Sequence, residues 1–233
     1  MIRPLLALAL LGFPGIAHAA DRSFLVGSFT RIRVDGPFAV TVVTGKSPGA
    51  QATGSANALD GLTVRVDGDT AVVTMGAGDW SSDSGRMIVP PSVTLTTPTL
   101  SAATINAGAT LSINAMKGQK VSLSVNGSGA LSVGAVTADQ LDARIVGTGQ
   151  MTLAGAAQRA QVVVSGAGSV DATDLIANDL TARSDGPGRL DLAARYTANI
   201  TTTGLGPVTV AGSPSCTVRA IAGGPVRCGK QRD

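Results

Sequence analysis

From residue 110 onward the chain repeats itself. The first apolar residues after successive glycine-rich turns are Leu111, Leu131, Met151, Val170, Leu190, Val208 and Val226, spaced 20, 20, 19, 20, 18 and 18 residues apart. Two residues further on stands a second apolar column of Ile113, Val133, Leu153, Ala172, Leu192, Val210 and Cys228. A second strand in each period carries inward columns that start at Val121, Leu123 and Val125 and end at Cys216, Val218 and Ala220. Alternation with period two buries one face of a strand and wets the other. A unit this short cannot bury its apolar face alone, whereas stacked copies bury it continuously. The expectation is an all-β chain folded as a parallel β-solenoid, or β-helix, with roughly 18–20 residues per coil. A sandwich or propeller fits the near-constant period less well.

The turns themselves read NGSG, VGTG, SGAG and DGPG. Gly-x-Gly also opens dinucleotide-binding loops, but that fingerprint needs a third glycine, a following helix and an acidic residue about twenty positions on. Here each turn runs into another strand-like segment. The pairs from Gly127/Gly129 to Gly204/Gly206 are therefore expected to be corners adopting φ > 0, with Ala107-Gly108-Ala109 as a variant first corner.

Composition agrees with many short strands: glutamate is absent and aromatics are only 3%. The first nineteen residues hold Arg3, the apolar run LLALALLGF and Ala17-His18-Ala19. That is the pattern of a secretory signal peptide (1–19) cleaved after Ala19, and the run is too short to span a bilayer. No cysteine directly follows the cleavage site, so a lipid anchor is not indicated, and no other stretch reaches transmembrane length. Removing Arg3 from the 18 basic residues leaves 17 against 15 acidic, an excess of +2. With no Lys/Arg cluster or stacking platform, nucleic acid is not expected as a partner. His18 is the only histidine and leaves with the leader. Ser-His-Asp and Cys-His catalysis and His-ligated zinc are thereby excluded, and no cofactor is expected. In an exported chain Cys216 and Cys228 are expected to form a disulfide, with a metal or reactive thiol as the alternative.

Residues 20–106 lack the glycine corners and are expected to begin or cap the solenoid whose punctuated repeats occupy 107–233. Within them LTVRVDGDTAVVTM reads as two strands joined at Asp67-Gly68-Asp69, and 87–106 as one further coil interrupted by prolines. The loop 76–86 contains Trp80, which either covers the solenoid's flank or stands out as a surface contact.

The order VDGPFAVTVVTG, LDGLTVRVDGDTAVVTM, a lone Trp, and strands punctuated by GSG, GTG and GAG resembles the auto-transporter adhesin head GIN domain family. The resemblance runs from Phe29 to Gly229. It implies a right-handed β-helix exported by a bacterium, adhesion as the inferred role, and no established catalytic residues. Nothing resembles a C-terminal translocator barrel, so the chain is not expected to be an autotransporter itself.

Outward positions decide between the remaining functions. On the first strand they read Ser112, Ser132, Thr152, Asp171, Asp191, Thr209 and Arg227, which places Asp171 beside Asp191 on adjacent coils. Arg144, Arg183 and Arg219 share an outward column of the second strand, with Asp142 beside Arg144. Paired carboxylates could hydrolyse a glycan or bind calcium; the plainer reading is a solvated charged face. The preferred expectation is an exported, non-enzymatic module that binds envelope protein or glycan, in the periplasm or at the surface of a Gram-negative bacterium. The alternative is a carbohydrate-active enzyme or calcium-dependent glycan binder using Asp171 and Asp191, and a third reading is a structural or envelope-stress protein without a ligand.

Overall fold

The computed structural model describes residues 20–76 and 90–229. The cleavage site at Ala19, Trp80 with most of the 76–86 loop, and residues 230–233 lie outside the described residues. Of the described residues 71% are strand and 3% helix. In order it forms β1 (Ala20–Phe24), β2 (Arg31–Asp35), β3 (Ala39–Thr44), β4 (Gly49–Gly54), α1 (Ala56–Gly61), β5 (Leu62–Asp67), β6 (Thr70–Met75), β7 (Ser92–Thr97), β8 (Ala102–Asn106) and β9 (Thr110–Ile113). Five long bent strands follow: β10 (Met116–Gly127), β11 (Ala130–Gly147), β12 (Gln150–Ser165), β13 (Ser169–Asp185) and β14 (Leu190–Thr202). The short β15 (Val208–Gly212), β16 (Ser215–Ala220) and β17 (Val226–Cys228) close the chain.

The stacked parallel coils make a β-solenoid of about six turns. Parallel pairing sets Leu111 under Leu131, then Met151, Val170, Leu190, Val208 and Val226, as the period requires. All but Val226 are buried. The columns Val121–Ala198 and Leu123–Ile200 are buried likewise. One core cluster runs from Phe29 to Val210, so each added rung lengthens a single core rather than founding a new one.

Each coil has three sides, one more than the two strands read from the sequence. Between the expected strands lies a second side carrying inward Met116, Val136 and Leu175, then Ala138, Ala157, Ala177 and Ala194. Register shifts between Val133 and Val136 and between Ala172 and Ile176 mark the bend onto it. The side is short and filled by alanine and glycine, so its apolar alternation is too faint to read as a strand.

The corner glycines are needed for two different reasons. Gly147 has φ +121°, which a side chain resists, and the equivalent Ala107 is the only non-glycine among the described residues with positive φ, at 72°. Gly127 and Gly166 share a positive φ with Gly147, but Gly186, Gly204 and the second glycine of each pair do not, contrary to expectation. A Cβ on Gly188 would instead fall 1.8 Å from the carbonyl oxygen of Gly168. Close stacking of corner on corner excludes a side chain there.

The N-terminal region is interleaved. β2 lies between β6 and β8, and β3 between β7 and β9. Ser92–Thr97 and Ala102–Asn106 therefore flank the β2–β3 coil on opposite sides and do not form one coil of their own. Every rung presents the same inward register, so apolar pattern cannot record which rung stacks on which. The β5–β6 hairpin turns at Gly68 (φ +62°) as expected. The antiparallel strands β4, β1 and β5 end the stack, with the six-residue α1, capped by Ser55 and burying Ala58 and Leu59, packed beside them.

At the other end Cys216 and Cys228 are joined in a disulfide with Cα atoms 6.3 Å apart. Cys216, Val218 and Ala220 keep the register of the inward columns, paired with Ala198, Ile200 and Thr202. They are nevertheless exposed along with the rest of β16, because no further rung covers them.

Candidate interaction faces

The outward columns carry the chemistry. On the first side Thr41, Ser112, Ser132, Thr152, Asp171, Asp191, Thr209 and Arg227 stack rung upon rung. Asp171 and Asp191 are paired neighbours, as the register demands. Each already has a local partner: an Asp171 oxygen accepts hydrogen bonds from the Thr173 hydroxyl at 2.8 Å and the Thr173 backbone N–H at 3.3 Å. Asp191 is ion-paired to Arg189 at 2.5 Å. The hydrogen bond and charge of Asp191, aided by the charge of Asp171, raise the Arg189 pKa above its ordinary value. The Asp191 carboxylate is thus already paired with a guanidinium. Among the described residues no three acidic, cysteine or histidine side chains converge as metal ligands do.

On the third side Arg144, Arg183 and Arg219 do fall in one column, separated by Val163 and Thr201. Asp142 is ion-paired with Lys120 at 2.8 Å and accepts from Gln140. Burial works to raise its carboxyl, but the Lys120 and Gln140 hydrogen bonds and the Lys120 and Arg144 charges outweigh burial and hold it below the ordinary carboxylate value. Asp185 is likewise lowered, by hydrogen bonds from Thr203 and Arg183. At the adjoining corner Asn126 donates to Asn106, and Asn106 to Asp35, so side-chain amides bridge successive rungs. A shallow depression of about 340 Å³ between the outward columns is lined by Ser122, Ser124, Asp142, Arg144 and Gln161.

A larger concavity lies on the second side, which the sequence did not show. Its outward column reads Lys117, Thr137, Ala156 and Ile176, paired rung to rung. At the next corner stand Gln119, Asp139, Gln158 and Asn178. Between the two rows runs a groove of about 520 Å³, floored by Gly118, Ala138 and Ala157 and reached at one end by Arg195. The short Ala156 leaves the gap that Thr137 and Ile176 bound. The Asn178 side-chain amide donates to Gln158 Oε1 at 2.6 Å, which ties the two rungs together along this row. Tyr196, 58% exposed, stands beyond Asn178 with the Arg195 guanidinium 6.0 Å from its ring centre. The groove crosses four rungs, roughly 14 Å at the usual strand spacing. Recognising it from sequence would have required the second side of the coil; Ile176 and Tyr196, large apolar side chains at outward positions, were the available signal.

The same fold is found in solved structures. An adhesin from Bacteroides fragilis NCTC 9343, described as putative, has a TM-score of 0.80 at 22% identity, covering 94% of this chain and all of that one. A putative adhesin from Parabacteroides distasonis ATCC 8503 has a TM-score of 0.70 at 18% identity, covering 92% of this chain and 98% of the other. A third, from the same organism and described as a putative lipid binding protein, has a TM-score of 0.71 at 17% identity, covering 91% and 97%. No curated protein matches the chain in sequence. The family model for "putative auto-transporter adhesin, head GIN domain" matches residues 28–214, and the chain belongs to that family.

Proposed function

We propose that this chain is an exported, non-enzymatic adhesion module that binds glycan or protein of the bacterial envelope through the groove on its second side. In this reading residues 1–19 direct export and are cleaved after Ala19, placing the protein in the periplasm or at the surface of a Gram-negative cell. Residues 20–106 start and close the solenoid, and 107–233 present the binding columns. The groove carries the reading. Amides at Gln119, Gln158 and Asn178, charges at Lys117, Asp139 and Arg195, and an exposed aromatic at Tyr196 are the groups that hold a hydroxyl-rich polymer: directional hydrogen bonds along one wall and a stacking face at one end. Membership of an adhesin family and a disulfide suited to an oxidising compartment support it. Family membership gives no support to catalysis, and the Asp171–Asp191 pair is engaged by Thr173 and Arg189.

A glycan array and an envelope pull-down, run with wild type, Ala156→Trp and Gln158→Ala/Asn178→Ala, test the proposal. Ala156 is exposed and outward, so tryptophan fills the groove without disturbing the core. Loss of glycan or partner signal in both variants is expected. Retained binding in both, or cleavage of a glycan on the array, would contradict it.

A further inference from the structure

Both ends of the solenoid stop at strands with a free edge. Among the described residues β16 pairs only with β14 and β17 only with β15. At the opposite end β5 pairs only with β6 and β1 only with β4. The four free edges belong to two stacks: the third side runs from β5 through β6, β2, β8 and β10 to β16, and the first side from β1 through β4, β7, β3 and β9 to β17. The C-terminal edge of each side therefore has its counterpart at the N-terminal edge of the same side.

The two ends also differ in charge. At the C-terminal end β16 and β17 carry Arg219 and Arg227 and no acidic residue. The N-terminal end carries Asp21, Asp60, Asp67 and Asp69 against Arg22, Arg31 and Arg65, all exposed, with Asp67 ion-paired to Arg65 and Asp69 to Arg31, which leaves an acidic excess of one. Apolar side chains are bare at both ends. Val218 is 45% exposed although it stands in an inward column, Ile221 lies beyond it at 65%, and Leu25 is fully exposed after β1. Uncovered strand edges with apolar side chains template further pairing.

We propose that the C-terminal end of one molecule seats the N-terminal end of a second copy, β5 of the incoming copy continuing β16 and its β1 continuing β17. Joining two C-terminal ends would set Arg219 and Arg227 against their own copies, and like charges oppose such a contact. Head-to-tail joining is heterologous and leaves a free end of each kind, so it builds open chains rather than closed dimers. The groove of each molecule would then repeat along the axis of the assembly, and binding to a polymeric ligand would gain from multivalency.

Sedimentation velocity with light scattering on the purified protein, from low to high micromolar concentration at low and high salt, tests this. Mean mass is expected to climb past the dimer without a plateau at low salt and to return to monomer at high salt. Val218→Asp and Arg219→Asp both alter exposed side chains, so the fold, checked by circular dichroism, is retained; each is expected to shift assembly to about tenfold higher concentration. A monomer at every concentration, a dimer that does not grow, or growth that both variants leave unchanged would overturn the proposal. None of these outcomes depends on the groove, so the ligand proposal stands or falls separately.

Discussion

Ser184 shows how a repeating core tolerates a polar intruder. Its column places it between Val164 and Thr202, and its buried hydroxyl has no hydrogen-bond partner. Thr202, next in the column, donates to the Gly204 carbonyl and accepts from its N–H. Replacing Ser184 by valine, the residue one rung earlier, removes an unmet desolvation penalty and restores packing. A gain of about 1 kcal/mol is expected, read as a raised thermal midpoint. Gly188→Ala should act in the opposite sense: a Cβ 1.8 Å from the Gly168 carbonyl forces the corner apart, and a loss of about 3 kcal/mol or more is expected in denaturant titration. Asp142 ties stability to pH. Its folded pKa lies below the ordinary 3.8, so its contribution is complete above that value and disappears as pH falls through the lowered one. Asp142→Asn should therefore flatten the acid limb of the stability profile and leave the alkaline side unchanged. Asp171→Asn with Asp191→Asn tests the remaining metal reading: calcium is expected to shift the melting temperature of wild type and double variant equally.

At the scale of elements, the sequence revealed what repeats strongly. The columns from Leu111 to Val210 and from Val121 to Ala198 could be read because large apolar residues recur in register through successive rungs. The second side could not, because Gly155 stands where Met116, Val136 and Leu175 stand in other rungs, and Ala138, Ala157 and Ala177 are too small to signal burial. The proposed groove lies on that unreadable side, while the outward residues singled out from sequence, Asp171 and Asp191, are in register but already partnered. Trp80 lies outside the described residues, and Tyr196, on the last long strand, was overlooked. The C-terminal staple also belongs to this scale. β16 has exposed side chains throughout, and the Cys216–Cys228 link ties it to β17. Cys216→Ser with Cys228→Ser should let both strands fray. Amide exchange in Ser215–Ala220 is expected to accelerate while that of β11 to β13 is unchanged; equal acceleration everywhere would mean that the staple supports the whole stack.

For the whole molecule, stacking supplies both rigidity and continuous outward faces. Because each rung contacts mainly its neighbours, stability accrues rung by rung, and outward residues can vary without disturbing the core. The interleaved order of β6–β7, β2–β3 and β8–β9 was illegible because connections, not apolar pattern, decide which rung follows which. The central claim is that the second-side groove, neither the glycine corners nor the Asp171–Asp191 pair, engages the ligand. The most direct test compares wild type, Ala156→Trp and Asp171→Asn/Asp191→Asn on the same glycan array. The account predicts that the tryptophan variant loses the signal and the double asparagine variant keeps it; the reverse pattern would contradict it.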